Sequence, residues 1–141
     1  MKSGTNKNPF SYGLRKDILL SVFGDKVKVF PLPDLGIGNV PAWGDYVLES
    51  VRERFGKYPD ILISGKESRR IDWFDNAKEL AISELYVPKS IDISASEVRE
   101  MFIKDDRKEW ESHVNPVIHK RYDELREIVL NSHDNLNTES V

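Results

Sequence analysis

The segment with the clearest chemical potential lies in the last third of the chain, where two serines and an arginine surround a predicted helix start. Residues 93–99 are ISASEVR, with Ser94, Ser96 and Arg99 as the polar groups. Ser94 and Glu97 have the spacing of a capping box, in which the glutamate three residues on reaches back to the cap. The free N–H groups of a helix start attract anions, and an arginine one turn inside suits phosphate. The segment therefore predicts a phosphate site, although a simple serine cap beside a surface arginine would have the same spacing.

A second candidate position follows the short apolar run ILI at residues 61–63, which has the composition of a buried strand. The run ends in Ser64-Gly65-Lys66. Ligands of α/β folds bind beyond the carboxyl ends of strands, so Gly65 and Lys66 are candidate ligand contacts. An arginine pair further on, Arg69 and Arg70, is more typical of a solvated loop and is left out of the site.

Alternating helices and strands would have to position these groups. Amphipathic spacing predicts a helix from Ser11 to Gly24 and another over residues 45–55, closed by Gly56. The final third is helical, and Asn115-Pro116 begins its last helix. Strand-like runs occupy residues 27–32, 61–64 and 84–87, and residues 33–44 are predicted to be a loop. This alternation predicts an α/β fold with a mostly parallel sheet, although three strands are few for one.

The composition is that of an ordinary soluble protein with one core. Of 141 residues, 39% are hydrophobic and 32% charged, which suits one domain. A net charge of -3 argues against nucleic acid as a partner, because nonspecific binding needs a basic surface. The absence of cysteine excludes a disulfide framework and a thiolate zinc site. Neither a signal-peptide core nor an apolar run of ~20 residues is present, so we expect a cytoplasmic protein with no membrane partner.

The ISASEVR segment resembles the I-S-x-[ST]-x-x-R motif of the nucleotidylyltransferase superfamily, which includes the nicotinamide-nucleotide, nicotinate-nucleotide and pantetheine-phosphate adenylyltransferases. The resemblance implies that Ser94, Ser96 and Arg99 bind the β- and γ-phosphates of ATP. It also implies that Gly65 and Lys66 lie near the adenosine. Ala95 departs from the commonest serine of the motif. The resemblance extends over roughly residues 8–130.

Two further segments look like the nicotinamide-nucleotide branch of this superfamily. Asn8-Pro9-Phe10-Ser11 with Arg15 is similar to N-P-F-[ST]-x-x-x-R, which would place Asn8 and Arg15 beside the mononucleotide. The run from Pro31 through Asn39 and Trp43 to Val47 is similar to the branch's P-x-P-D…N…W…V loop. By this resemblance Trp43 stacks on the cationic pyridinium ring, which an indole face holds well, and Asn39 bonds the carboxamide. The alternatives are that Trp43 covers the core and that Asn39 serves turn chemistry.

The family's G-x-F-x-P-x-H-x-G-H segment, whose histidines contact the ATP phosphates, does not occur in this sequence. His113, His119 and His133 lie far downstream. The resemblance therefore implies the C-terminal two-thirds of a Rossmann-like nucleotidylyltransferase fold with C-terminal helices, its first βαβ portion missing. A partial domain is expected over residues 1–131, with a polar tail over 132–141. In the family, the first strand of this missing portion lies in the middle of the sheet. Its absence would leave the neighbouring strands with open backbone edges, so a homo-oligomer is one expected state.

The function implied is transfer of AMP from ATP to nicotinamide mononucleotide, which forms NAD and pyrophosphate. Mg²⁺ is expected to arrive with ATP, and no protein metal cage is predicted. Nicotinate mononucleotide or phosphopantetheine is the alternative acceptor. The alternative from another class is a noncatalytic nucleotide-binding module, because the histidine motif is absent.

Overall fold

The computed structural model describes residues 8–38, 40–65, 74 and 80–139, with side chains described as far as residue 134. The chain forms two compact units. Unit 1 combines Met1–Pro31 with Ile93–Val141, and unit 2 is Leu32–Asp92. Among the described helices, none is both long and apolar enough to cross a membrane.

Unit 1 begins with helix α1, Tyr12–Phe23, whose limits follow from its end residues. Ser11 is extended, and its hydroxyl accepts a hydrogen bond from the Leu14 N–H at 3.2 Å. Gly24 ends the helix with φ 59° and ψ -136°, a backbone conformation that is largely restricted to glycine. The predicted helix from Ser11 to Gly24 is therefore confirmed.

The core of unit 1 is built by the C-terminal helices. They are α3 (Ala95–Ile103), α4 (Arg107–His113), a 3-10 turn (Pro116–Arg121) and α5 (Tyr122–Glu139). Their buried side chains form one cluster, and apolar residues of α1 pack against it. Three of its aromatic rings, from Phe102, Trp110 and Tyr122, lie 5.1–5.4 Å apart between centroids. Such contacts between rings add to the free energy that burial supplies.

Unit 2 contains helix α2, Pro41–Phe55, and a small sheet. Pro41 occupies the first turn of α2, where its missing N–H costs nothing. Gly56 ends the helix in the left-handed region at φ 77°, as the sequence predicts. Leu48 is the buried apolar residue of α2.

The sheet of unit 2 has two parallel strands in the described part of the chain, β1 (Ile61–Ser64) and β2 (Ser83–Tyr86). Ile61 pairs with Ser83 and Ser64 pairs with Tyr86. The predicted strands at 61–64 and 84–87 are thus present, the second shifted by one residue. The chain is α/β with a small parallel sheet.

The strand predicted at residues 27–32 does not form. Residues 27–32 all lie outside helices and strands. The carbonyl of Val29 accepts a hydrogen bond from the Tyr12 hydroxyl at 3.3 Å, which is a side-chain contact in place of a strand partner. Pro31 and Pro33 lack the N–H that a ladder requires.

Two other boundaries differ from the sequence prediction. Helix α2 begins at Pro41, so Trp43 lies in a helix and not in the predicted loop over 33–44. The segment predicted as a polar tail from residue 132 continues α5 as far as Glu139. Polar residues are compatible with a helix. The apolar face in the first part of α5 packs in the core, and this packing stabilises the helix beyond its last apolar residues.

Candidate functional site

The start of α3 has the geometry of a capping box. The Glu97 N–H donates to the Ser94 hydroxyl at 3.2 Å, and the Ser94 N–H donates to the Glu97 carboxylate at 2.6 Å. Ser94 is extended, with φ -104° and ψ 159°, as a cap must be. The local structure predicted from the Ser94–Glu97 spacing is confirmed.

Arg99 turns back toward this helix start. Its guanidinium donates to the Ser96 hydroxyl at 3.0 Å. Arg99 is half-buried, whereas Ser94 and Ser96 are exposed. The three predicted phosphate contacts therefore lie in the six residues that begin with the Ser94 cap. This segment carries hydroxyl, backbone N–H and guanidinium groups, which are the donors that suit an anion.

Glu97 introduces a competing negative charge that the sequence motif alone does not reveal. Its carboxylate already bonds the Ser94 N–H, which is one of the donors a phosphate would use. A phosphate at this helix start therefore lies close to a carboxylate, and the two anions repel each other. The positive charge of Arg99 would offset part of this repulsion.

The other predicted contacts in unit 1 are on or before α1. Asn8 is half-buried, and it precedes the buried Pro9. Arg15 has an exposed side chain, and its backbone N–H bonds the Ser11 carbonyl at 3.0 Å as part of the helix start. Binding of the mononucleotide by Asn8 and Arg15 stays a prediction.

Four predicted contacts belong to unit 2. The structure describes Gly65 and Trp43, whereas Lys66 and Asn39 lie outside the described residues. Gly65 follows β1 directly. A Cβ added at Gly65 would meet the Val87 carbonyl at 3.6 Å, an ordinary contact. Packing against the neighbouring strand is therefore not what requires glycine here.

Trp43 has an aromatic neighbour that sequence reasoning missed. The rings of Trp43 and Tyr46 are tilted by 49°, with their centroids 5.4 Å apart. Both residues are half-buried on successive turns of α2. The signal was present as a spacing of three residues, which brings side chains together only if the segment is helical. The sequence analysis places Trp43 in a loop over residues 33–44, and in a loop a spacing of three residues does not bring two side chains together.

The histidines of α4 and the following turn are held by local contacts. The ring of His113 lies 3.1 Å from a Glu109 carboxylate oxygen. The Nε2 of His119 lies 3.0 Å from the Glu111 carbonyl and 2.9 Å from the Val114 carbonyl. Since both partners of His119 are acceptors, Nε2 carries a proton and donates it.

In unit 2, the carboxylate of Glu49 on α2 accepts hydrogen bonds from two side chains. The Tyr58 hydroxyl donates to Glu49, and Arg52 donates to the same carboxylate at 2.8 Å. Hydrogen bonding from Tyr58 and then Arg52 lowers the pKa of Glu49. The same bond to Glu49 raises the pKa of Tyr58. This group fastens residue 58 to the helix, and its carboxylate is already paired.

Within the described ranges, no three His, Asp or Glu side chains are grouped so that they could hold a metal ion. No protein-family model matches the sequence, and neither a curated protein nor a solved structure matches the chain.

Proposed function

We propose that this chain is the nucleotide-binding portion of an adenylyltransferase that transfers AMP from ATP to nicotinamide mononucleotide. The observation that carries the proposal is the group at the start of α3, where Arg99 bonds Ser96 beside the Ser94 cap. That group offers hydroxyl, N–H and guanidinium donors to the β- and γ-phosphates of ATP. The acceptor is proposed from the resemblance of the segments around Asn8 and Trp43.

The proposed reaction is an in-line displacement at the α-phosphorus of ATP. A phosphate oxygen of the mononucleotide forms the new P–O bond while the bond to the bridging oxygen of pyrophosphate breaks. Ser94, Ser96 and Arg99 would hold the leaving pyrophosphate and the negative charge that it gains. Mg²⁺ would enter with the ATP phosphates and neutralise part of their charge. The protein's share is mainly positioning and charge stabilisation.

Arg99→Ala tests the phosphate site. A charge-assisted contact from a guanidinium to phosphate is worth about 1.5–3 kcal/mol, which corresponds to a tenfold or greater loss of ATP affinity. Arg99→Lys should recover only part of it, because lysine lacks the planar fork. Calorimetric titration of ATP with Mg²⁺ into the 141-residue chain measures the effect.

Lys104→Ala is the matched control, since it removes a cation from the opposite end of α3, where Lys104 lies 3.6 Å from Glu100. Circular dichroism of each variant checks that the helices are intact. ATP binding that is unchanged in folded Arg99→Ala would overturn the assignment of this site.

A noncatalytic nucleotide-binding module is the second candidate. It is favoured by the absence of an H-x-G-H segment in the sequence and by the engagement of His119 with two backbone carbonyls. An oxyanion stabiliser is typically worth ~10²–10³ in rate, so loss of such a cluster suppresses turnover far more than binding. Release of pyrophosphate from ATP and nicotinamide mononucleotide favours the enzyme, and ATP binding without release favours the module. Nicotinate mononucleotide and phosphopantetheine are the alternative acceptors in the same assay.

A further inference from the structure

The sheet of unit 2 carries four large apolar side chains on one of its faces. Ile63 pairs with Leu85 in the parallel ladder, and residues that pair directly have their side chains on the same face. Ile61 lies two residues before Ile63 and shares that face. Val87 extends it, because its N–H donates to the Ser64 carbonyl at 2.8 Å and continues the ladder past β2. We call these four side chains the open face.

The open face is more exposed than the faces of parallel sheets usually are. Its side chains have exposed fractions between 49% for Val87 and 73% for Ile63. Leu62 and Ser64, which alternate with the isoleucines and point to the other face, are half-buried. Parallel sheets are normally covered on both faces, because their crossover connections pack there. In the described part of the chain, it is therefore the more apolar face of β1 that stays in contact with solvent.

The composition of the open face suits a second copy of the same chain. Of the other described strand residues on this side, Ser83 opposite Ile61 is polar and uncharged. A flat apolar surface without charge can pack on its own copy about a two-fold axis, as two sheets do in a sandwich. The four side chains present on the order of 300 Å² of apolar surface, a patch size that is often functional. This area is less than stable complexes bury, so it suits a weak, reversible dimer.

Charged pairs at the two ends of the sheet also fit a two-fold arrangement. Lys57 lies 3.1 Å from Asp60 just before β1, and Lys89 lies 3.8 Å from Asp92 after β2. All four side chains are at least half exposed. If the strands of two copies run antiparallel, the end that carries Lys57 and Asp60 meets the end of the second copy that carries Lys89 and Asp92. Each end has one cation and one anion, so opposite charges can pair at the rim.

We propose that the open face is the contact surface of a homodimer, in which two copies of this chain pack their sheets face to face. Such a dimer buries side chains, and in this it differs from association through open strand edges, which would pair backbone groups. It uses no residue of the ATP site proposed at the start of α3. Arg99→Ala should therefore lose ATP affinity and still form the dimer.

Sedimentation velocity of the full chain over a range of concentrations tests the dimer. The unaltered chain should show a reversible equilibrium between monomer and dimer. Ile63→Thr keeps a β-branched side chain in the strand and should weaken the dimer roughly tenfold or more, because both copies lose apolar contact. Val87→Thr should weaken it less. Val117→Thr is the matched control for Val87→Thr, since Val117 is 47% exposed and lies in unit 1.

A charge exchange at residue 63 shows whether the partner is a second copy. Ile63→Lys and Ile63→Glu should each be monomeric alone, because like charges would meet across the two-fold axis. An equal mixture of the two variants should regain the dimer. Circular dichroism checks that each variant is folded, which is expected because the Ile63 side chain is 73% exposed.

Three results would overturn the homodimer. They are an unaltered chain that stays monomeric at every concentration, a dimer that Ile63→Thr leaves unchanged, and a mixture of the Lys and Glu variants that stays monomeric. Equal weakening by Val87→Thr and Val117→Thr would likewise exclude the open face as the contact. A dimer that forms as expected in a chain that does not bind ATP would contradict the proposed function alone.

Discussion

The side chain of Tyr122 helps to hold α5 against the turn after α3 in unit 1. Its hydroxyl donates to the Asp105 carboxylate at 2.8 Å, and Arg126 lies 3.3 Å from the same carboxylate oxygen. Arg126 also donates to the Phe102 carbonyl at 2.9 Å. These contacts join the turn after α3 to α5. Asp105 has φ 56°, a left-handed conformation that aspartate tolerates better than most residues.

Burial, and then the hydrogen bond to Asp105, raise the pKa of Tyr122 from 10.0 to about 12. Folding therefore favours the protonated phenol. Its contribution to stability is complete below pH 10.0 and is lost as pH rises toward about 12, because the unfolded state releases this proton first. We expect the free energy of unfolding to fall over that interval.

Tyr122→Phe removes the titrating group and should flatten this alkaline fall. The variant also loses a hydrogen bond, so at neutral pH it should be less stable by about 0.5–1.5 kcal/mol. Urea unfolding from pH 8 upward, followed by circular dichroism, measures both effects. A slope against pH equal to that of the unaltered chain would mean that Tyr122 is not the group responsible.

The start of helix α3 stabilises the fold through its capping box, and in the proposed function it also binds ATP. The Glu97 carboxylate completes the capping box and interacts favourably with the helix dipole, which stabilises the helix. The same negative charge opposes the phosphate ligand that the proposed function places there. Stability and phosphate affinity should therefore respond in opposite directions to neutralisation of Glu97.

Glu97→Gln keeps an oxygen that can accept from the Ser94 N–H but removes the charge. A charge at a helix end is worth typically 0.3–1 kcal/mol, so stability should fall by about that amount. ATP affinity should rise by a factor of about two to five, since 1.4 kcal/mol corresponds to tenfold.

Glu100→Gln is the matched control, because it neutralises a carboxylate near the other end of α3, beside Lys104. Titration calorimetry of ATP and urea unfolding on the same samples compare the two quantities. A fall in ATP affinity for Glu97→Gln would contradict a direct repulsion and indicate that the carboxylate supports the bound nucleotide.

Across the whole molecule, the apolar side chains are distributed unequally between the two units. The buried cluster of unit 1 has six apolar members, whereas Leu48 is the buried large apolar residue in the described part of unit 2. Among the residues that the structure describes, twelve of the sixteen exposed large apolar side chains lie in unit 2, including Ile63 at 73%. Burial supplies ~25 cal/mol per Å², so the described part of unit 2 gains less hydrophobic stabilisation than the described part of unit 1.

This imbalance predicts that the units open at different free energies. Backbone amides of β1 and β2 should exchange with solvent faster than those of α5 from Tyr122 to Leu130, because local opening follows apolar contact density. Hydrogen exchange read by mass spectrometry on peptides from each unit measures the difference. Equal protection of the strands and of α5 would show that unit 2 is stabilised as strongly as unit 1.

Much of the helical framework could be predicted from the sequence because helix ends depend on neighbours only a few residues away. Ser11 and Ser94 cap the helices that they were predicted to cap, and Gly56 ends α2 in a left-handed conformation. Asn115 likewise accepts from the Val117 N–H before Pro116, as predicted, although the first turns there are 3-10. The approach of Arg99 to Ser96 also follows from a spacing of three residues on a helix.

The sequence by itself thus determined the local features: the capped start of α3, its serine and arginine donors, and two apolar strand segments. Only the tertiary structure decided which extended run obtains a partner, because strand pairing depends on residues distant in the chain. Val29, in the run at residues 27–32 that forms no strand, has its carbonyl bonded by the Tyr12 hydroxyl. The ring cluster around Trp110 likewise depends on packing among separate helices. The pairing of Trp43 with Tyr46 required knowing that α2 begins at Pro41, since only a helix brings residues three apart onto one face.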